Sequence, residues 1–224
     1  MNEASARERI LDTAEFLFGD QGIRATSIRD ITQRAEVNLA AVNYHFKNKE
    51  GLVAAVLARR AEPINRERVR LLSELPSPAP IEAILRCFIA PTFPMLDSNP
   101  AFLKFAARLW LEPGPELREV VLGQFWTTLQ QFLGLIHEAL PDVPVPELWV
   151  RFSFCIGAML HTWTTHREAA RAVDIGGIDS TSEGLTEAWI RFCAAGLRAP
   201  IGEHNETFTT TCRPAAGGGA GGTA

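Results

Sequence analysis

Residues 24–52, RATSIRDITQRAEVNLAAVNYHFKNKEGL, carry the start signals of two short helices and the break between them. Ser27 is a good N-cap, and Asp30 follows three residues later, close to a capping box with Asp in place of Glu or Gln. The helix this opens runs to about Ala35, where Glu36-Val37 interrupts it. Asn38 is a second N-cap, opening a helix over about residues 39–45. Ile28, Ile31, Ala35, Val37, Val42 and Phe46 are the apolar positions that such a pair would turn inward.

Working outward, residues 5–19 place Ile10, Ala14, Leu17 and Phe18 at helical spacing, with Phe16 widening the stripe and Gly22 as a stop. After Phe46-Lys47-Asn48 a longer helix begins near Lys49 and runs to about Leu75, where Pro76, Pro78 and Pro80 end it. Two short capped helices across a tight turn form a helix-turn-helix. Its second helix fits a major groove about 12 Å wide and presents short side chains to base edges.

The remainder reads as helix throughout, near 80–96, 99–111, 115–139, 145–172 and 181–198. Breaks fall at Asn99-Pro100, Pro113-Gly114-Pro115, Pro141 through Pro146 and Gly176-Gly177, and Pro91 and Pro94 should end or kink the 80–96 helix early. No period-2 strand pattern extends beyond a few residues, so the fold class is all-α. Residues 200–224, with TFTTTCRP and a Gly/Ala run, have little to bury and read as a disordered tail. The expected organisation is a helix-turn-helix domain at 1–50, a connecting helix at 51–76, a C-terminal helical bundle at 77–199 and the tail.

With 46% hydrophobic and 21% charged residues among 224, the composition is that of an ordinary soluble protein. No apolar run reaches the roughly 18–20 residues of a membrane span, and the polar N-terminus has no secretory pattern, so no membrane partner is expected. Cys87, Cys155, Cys193 and Cys212 form no C-x-x-C pair, disulfide framework or zinc spacing. The cytoplasm is the natural compartment for such a chain, and no cofactor or metal is expected. Net charge is −4, with nine Lys/Arg against eight Asp/Glu in residues 1–60 and 13 against 18 in the rest. For groove binding, where the charges sit matters more than their sum.

The run Thr26-Ser27-Ile28-Arg29-Asp30-Ile31, then Val37, Val42, Asn43-Tyr44-His45-Phe46 and Lys49, resembles the TetR family of transcriptional regulators in order, spacing and distance from the N-terminus. Two positions depart from the family pattern. Glu36 stands where the family has a turn glycine, and Asn43 where it has an aromatic residue. The resemblance implies a repressor that binds a palindromic operator in double-stranded DNA as a homodimer and is released by a small-molecule effector. It places Arg29 on a base or phosphate. Leu39, Ala40, Ala41 and Asn43 would face base edges, and Ser27, Tyr44, His45 and Lys49 would contact phosphates.

It further implies a dimer interface built from the last two long helices, with Phe152, Ile156, Met159, Leu185, Trp189 and Phe192 on their apolar faces. Aromatic residues spread over four helices between 88 and 163 suggest an apolar effector pocket, with Phe105, Trp110, Trp126 and Trp163 as candidate lining. Arg108, on an otherwise apolar helix, could pair with a ligand carboxylate or with a nearby acid such as Glu112 or Glu116. Val37–Phe46 and Phe192–Ala199 resemble the fatty-acid-responsive PsrA-type branch, implying an acyl effector. The alternatives are a helical protein-interaction module and a DNA binder without an effector. An enzyme fits poorly: His161 and His166 are five apart, and no G-x-S-x-G, H-E-x-x-H or phosphate loop occurs.

Overall fold

The computed structural model describes residues 3–111, 114–172 and 181–201. Ten helices follow one another there: α1 (Glu3–Asp20), α2 (Ile28–Arg34), α3 (Leu39–Phe46), α4 (Lys49–Ser73), α5 (Ile81–Ile89), α6 (Met95–Ser98), α7 (Pro100–Leu111), α8 (Pro115–Ala139), α9 (Val145–Ala172) and α10 (Ser182–Leu197). The fold is all-α. The break expected at Gly176-Gly177, residues Glu112 and Pro113, and the tail from Gly202 onward lie outside the described residues.

The helix termini follow from local chemistry. Ser27 Oγ accepts from the Asp30 N–H at 3.1 Å while Asp30 accepts from the Ser27 N–H at 2.8 Å, a complete capping box. Asn38 and Asn48 cap α3 and α4 through the N–H groups of Ala41 and Gly51, each at 2.8 Å. Gly51 is required there, because a Cβ would lie 2.1 Å from the Phe46 carbonyl oxygen. The helix expected at 80–96 stops at Ile89, and the chain turns through Pro91 and Pro94 into α6. Proline supplies no N–H to the helical ladder and crowds the preceding turn.

α1 buries Ile10, Leu11, Ala14, Leu17 and Phe18 completely or nearly so. It packs on α2, α3, α4 and, most extensively, α7. A Cβ on Gly19 would come within 2.3 Å of the Ala101 carbonyl, so α1 and α7 meet backbone to backbone. Phe18 stacks on Phe105 of α7 at 5.7 Å between ring centroids. α4 buries a long stripe, from Leu52, Val53, Val56 and Leu57 through Ala61 and Ile64 to Arg68. Its first half faces α1 and α3, and its second half faces α5 and α8. Pro63 lies inside it on the exposed side. Phe88 of α5 is ringed by Phe132, Phe152 and Trp189, which joins α5, α8, α9 and α10 into one core.

Candidate nucleic-acid interface and interior cavity

On a helix of 3.6 residues per turn, positions 39, 40, 43, 44 and 47 fall within an arc of roughly 140°. In α3 this arc is outside: Leu39 is 50% exposed and Tyr44 73%, and Ala40 and Asn43 are also exposed. Val42 and Phe46, which follow Leu39 around the other edge of the helix, are buried against the other helices. Ala41 and His45 lie on the side of α3 away from that arc and are half-buried, with the His45 ring edge-on to Tyr44 at 5.0 Å. Ser27 and Arg29 are exposed at the start of α2, and Lys49 is half-buried at the start of α4. The capping hydrogen bonds to Ser27, side chain first and then backbone, hold the Asp30 carboxyl below its usual value. The nine positions expected on DNA thus lie on α3 and the two adjoining helix starts, and α3 offers base edges one amide, Asn43, among small and apolar groups.

The turn between α2 and α3 departs from regular backbone at Glu36, whose φ is +52°. A left-handed conformation at a non-glycine residue is costly, and the surroundings compensate for it. Arg9 of α1 donates to the Ala35 carbonyl at 3.1 Å and to the Glu36 carbonyl at 3.5 Å. Nothing in the local sequence distinguishes Arg9 from a surface charge, since its partners lie on the far side of the turn.

A second connection holds this region to the rest of the chain. The Glu15 carboxylate, buried at 5% exposure, accepts from Arg59 at 2.7 Å, Arg60 at 3.2 Å and Asn99 at 2.8 Å. Burial alone would raise this carboxyl, but hydrogen bonds from Arg59, Asn99 and Arg60 and the Arg59 charge outweigh it and hold it low. One residue of α1 is thereby tied to α4 and to the start of α7.

A cavity of about 40 Å³ opens between α4, α5, α7, α8 and α9. Trp110 and Trp163 line it, together with Arg68, Phe88, Phe125 and Met159. The other candidates are elsewhere. Phe105 is fully buried between Phe18 and Phe102. Arg108 turns away from the interior and donates to the Gly19 and Asp20 carbonyls at 3.1 and 3.3 Å, closing the end of α1. Trp126 is 44% exposed and lies edge-on against Trp149. The cation inside the cavity is Arg68, which the sequence hides in the charged run Arg66–Arg70.

The two long C-terminal helices match the expected spans, but their apolar faces divide differently. Phe152, Ile156, Met159 and Trp189 are buried by the chain's own helices, and Trp189 donates to the Cys155 carbonyl at 3.1 Å. These four side chains leave 5% or less of their surface for a partner. Leu185 is half-buried, and Phe192 is 67% exposed. On α9 Phe154, equally exposed, and Val150 are also large apolar groups left outside, and Gly157 and Gly196 each face open space.

Two family models match the chain. The model described as "Bacterial regulatory proteins, tetR family" matches residues 10–56, and "Tetracyclin repressor-like, C-terminal domain" matches residues 86–196. The HTH-type transcriptional repressor KstR2 of Mycolicibacterium smegmatis is 41% identical over 54 residues, 24% of this chain and 26% of that protein. The probable HTH-type transcriptional regulator YttP of Bacillus subtilis is 29% identical over 84 residues, 38% of this chain and 41% of that one. The match therefore spans well under half the length of these relatives. Among solved structures, the fatty acid degradation regulator FadR from Bacillus halodurans superposes with a TM-score of 0.67 at 14% identity, covering 87% of this chain and 97% of that one. FadR from Bacillus subtilis, solved with stearoyl-CoA, gives 0.65 at 16% identity, covering 84% and 98%. The matched families and relatives are transcriptional regulators, not enzymes.

Proposed function

Because this chain belongs to the TetR family of bacterial regulatory proteins, we propose that it is a homodimeric repressor that α3 docks onto a palindromic operator and that an apolar, acyl-like effector releases. The observation that carries this reading is the outer face of α3. It is exposed and capped by Asn38, and Arg9 holds the turn that leads into it; we assign Leu39, Ala40 and Asn43 to base edges, with the half-buried Ala41 at their margin. Ser27, Tyr44, His45 and Lys49 contact phosphates around it, and Arg29 reaches a base or phosphate. Residues 1–50 act as the DNA-binding domain, 51–76 as the connecting helix and 77–199 as the effector and dimer domain, in a protein that works in the cytoplasm. The dimer forms through Val150 and Phe154 of α9 with Phe192 of α10, where large apolar groups are left in water.

The effector cavity shares its walls with the elements that hold α1. α7 gives Ala106 and Trp110 to the cavity and Phe105 and Arg108 to α1. α4 gives Arg68 to the cavity and Arg59 to Glu15, nine residues apart. At 40 Å³ the space holds little more than a water molecule, far below the several hundred Å³ of a ligand site. An effector therefore enters only by moving a wall of the cavity, and two of those walls, α4 and α7, also hold α1. Binding that favours the opened arrangement weakens DNA binding by the same factor.

The test is fluorescence-anisotropy binding to the DNA upstream of the protein's own gene, at two salt concentrations, with and without fatty acids and acyl-CoAs. Salt-dependent specific binding that an acyl compound releases is the expected result. Specific binding indifferent to every compound keeps the repressor and removes the effector assignment.

A further inference from the structure

Arg68 is 4% exposed and sits in the wall of an otherwise apolar cavity. Its Nε donates to the Phe88 carbonyl at 2.9 Å, one terminal nitrogen reaches Asn65 at 3.4 Å, and the guanidinium lies 4.2 Å over the Phe88 ring. No carboxylate among the described residues pairs with it. Burial drives its pKa down to about 9, which leaves it charged at neutral pH. A guanidinium has five N–H donors, and these contacts use two. On the α9 wall of the same cavity the Trp163 indole N–H is also buried without a hydrogen-bond partner. The remaining lining, Phe88, Ala106, Trp110, Phe125, Leu129, Ile156, Met159 and Leu160, offers no side-chain carboxylate, amide or hydroxyl. Besides the Trp110 indole N–H, the polar equipment of the lining side chains is these two unfilled donors, one of them cationic.

We infer that the cavity selects an organic carboxylate with an apolar body, its carboxylate bound by Arg68 and the Trp163 N–H. This rests on the reading of the cavity as the effector site and adds the head group to it. A carboxylate accepts through both oxygens and supplies the charge that a buried cation lacks. An ester or thioester of the same acid carries no charge at that carbon and leaves the guanidinium unpaired. The discriminating feature is thus the free acid, so an acyl-CoA binds more weakly than the acid from which it is made.

The experiment titrates the 224-residue chain with octanoate, methyl octanoate and octanoyl-CoA, reading tryptophan fluorescence and the melting temperature. Octanoate is expected to bind at least about tenfold more tightly than its methyl ester, the scale of a charge-assisted hydrogen bond. In Arg68→Met that preference disappears while ester binding remains, and in Arg68→Lys it persists in weakened form. Equal affinity for acid and ester in the unaltered protein overturns the head-group assignment and leaves the apolar-effector reading standing. Acid preference that survives Arg68→Met also overturns it. Binding of none of the three compounds overturns both. If Arg68→Met fails to fold, the Arg68→Lys ratio of acid to ester affinity decides: an unchanged ratio counts against Arg68.

Discussion

Arg59 of α4 donates to the Glu15 carboxylate of α1 at 2.7 Å, and both side chains are largely shielded from water. Without the Glu15 charge Arg59 still pairs with Asp12 at 2.7 Å and Glu8 at 3.4 Å, so what is lost is the buried charge-assisted hydrogen bonding at Glu15, about 1–2 kcal/mol. Glu15→Gln should lower the melting temperature and loosen α1 on α4, and chemical denaturation would measure the loss.

The same carboxylate sets an acid limit. Its folded pKa lies below the ordinary value of 4.5, so its stabilising contribution is complete above that pH. The contribution drains away as pH falls through the lower folded value. Melting curves from about pH 6 to about pH 3 should show a steeper decline for the native protein than for Glu15→Gln. Parallel declines would remove Glu15 from the acid response.

Glu36 occupies a left-handed conformation, which glycine adopts at no steric cost. Glu36→Gly should stabilise the protein by about 1 kcal/mol, the backbone penalty less the added chain entropy. A melting temperature that falls would show that the Arg9 clamp has already absorbed the strain.

The local signals are the legible ones. Ser27, Asn38 and Asn48 act on groups three residues away, so their caps can be read from spacing, as can the proline stops around α5. The cavity is half legible. Trp110 and Trp163 reach it, but Arg68 looks like one more charge among Arg66, Glu67 and Arg70 until α5 covers it. Arg108 resists reading for the same reason, since its partners Gly19 and Asp20 lie some ninety residues earlier in the chain. On α9 and α10 aromatic residues occur on two faces. Periodicity singles out Phe152 but does not say that the chain covers it itself and leaves Phe154 outside.

That division makes a prediction about assembly. Phe154→Asp and Phe192→Asp replace side chains that are each 67% exposed, so the single chain should keep its helical content. Light scattering should show each variant near 24.6 kDa and the unaltered protein near twice that mass. A variant that remains dimeric would place the interface on another face.

The exposed guanidinium of Arg29 should contribute through charge. Arg29→Ala is expected to weaken binding to DNA, and if the contact is to phosphate the loss is uniform across sequences and the salt slope falls by about 1. A loss confined to one base-pair position would instead assign Arg29 to a base.

The central claim is that α3 reads DNA, and selection from pooled genomic fragments tests it with no operator sequence chosen in advance. The unaltered protein and an Asn43→Ala/Tyr44→Ala variant, matched for helical content by circular dichroism, are carried through the same rounds. The unaltered protein is expected to enrich a palindromic sequence with half-sites about one helical turn, roughly 34–36 Å, apart or a multiple of that, and the variant is not. Enrichment of the same palindrome by both proteins, or of none by either, would contradict the claim.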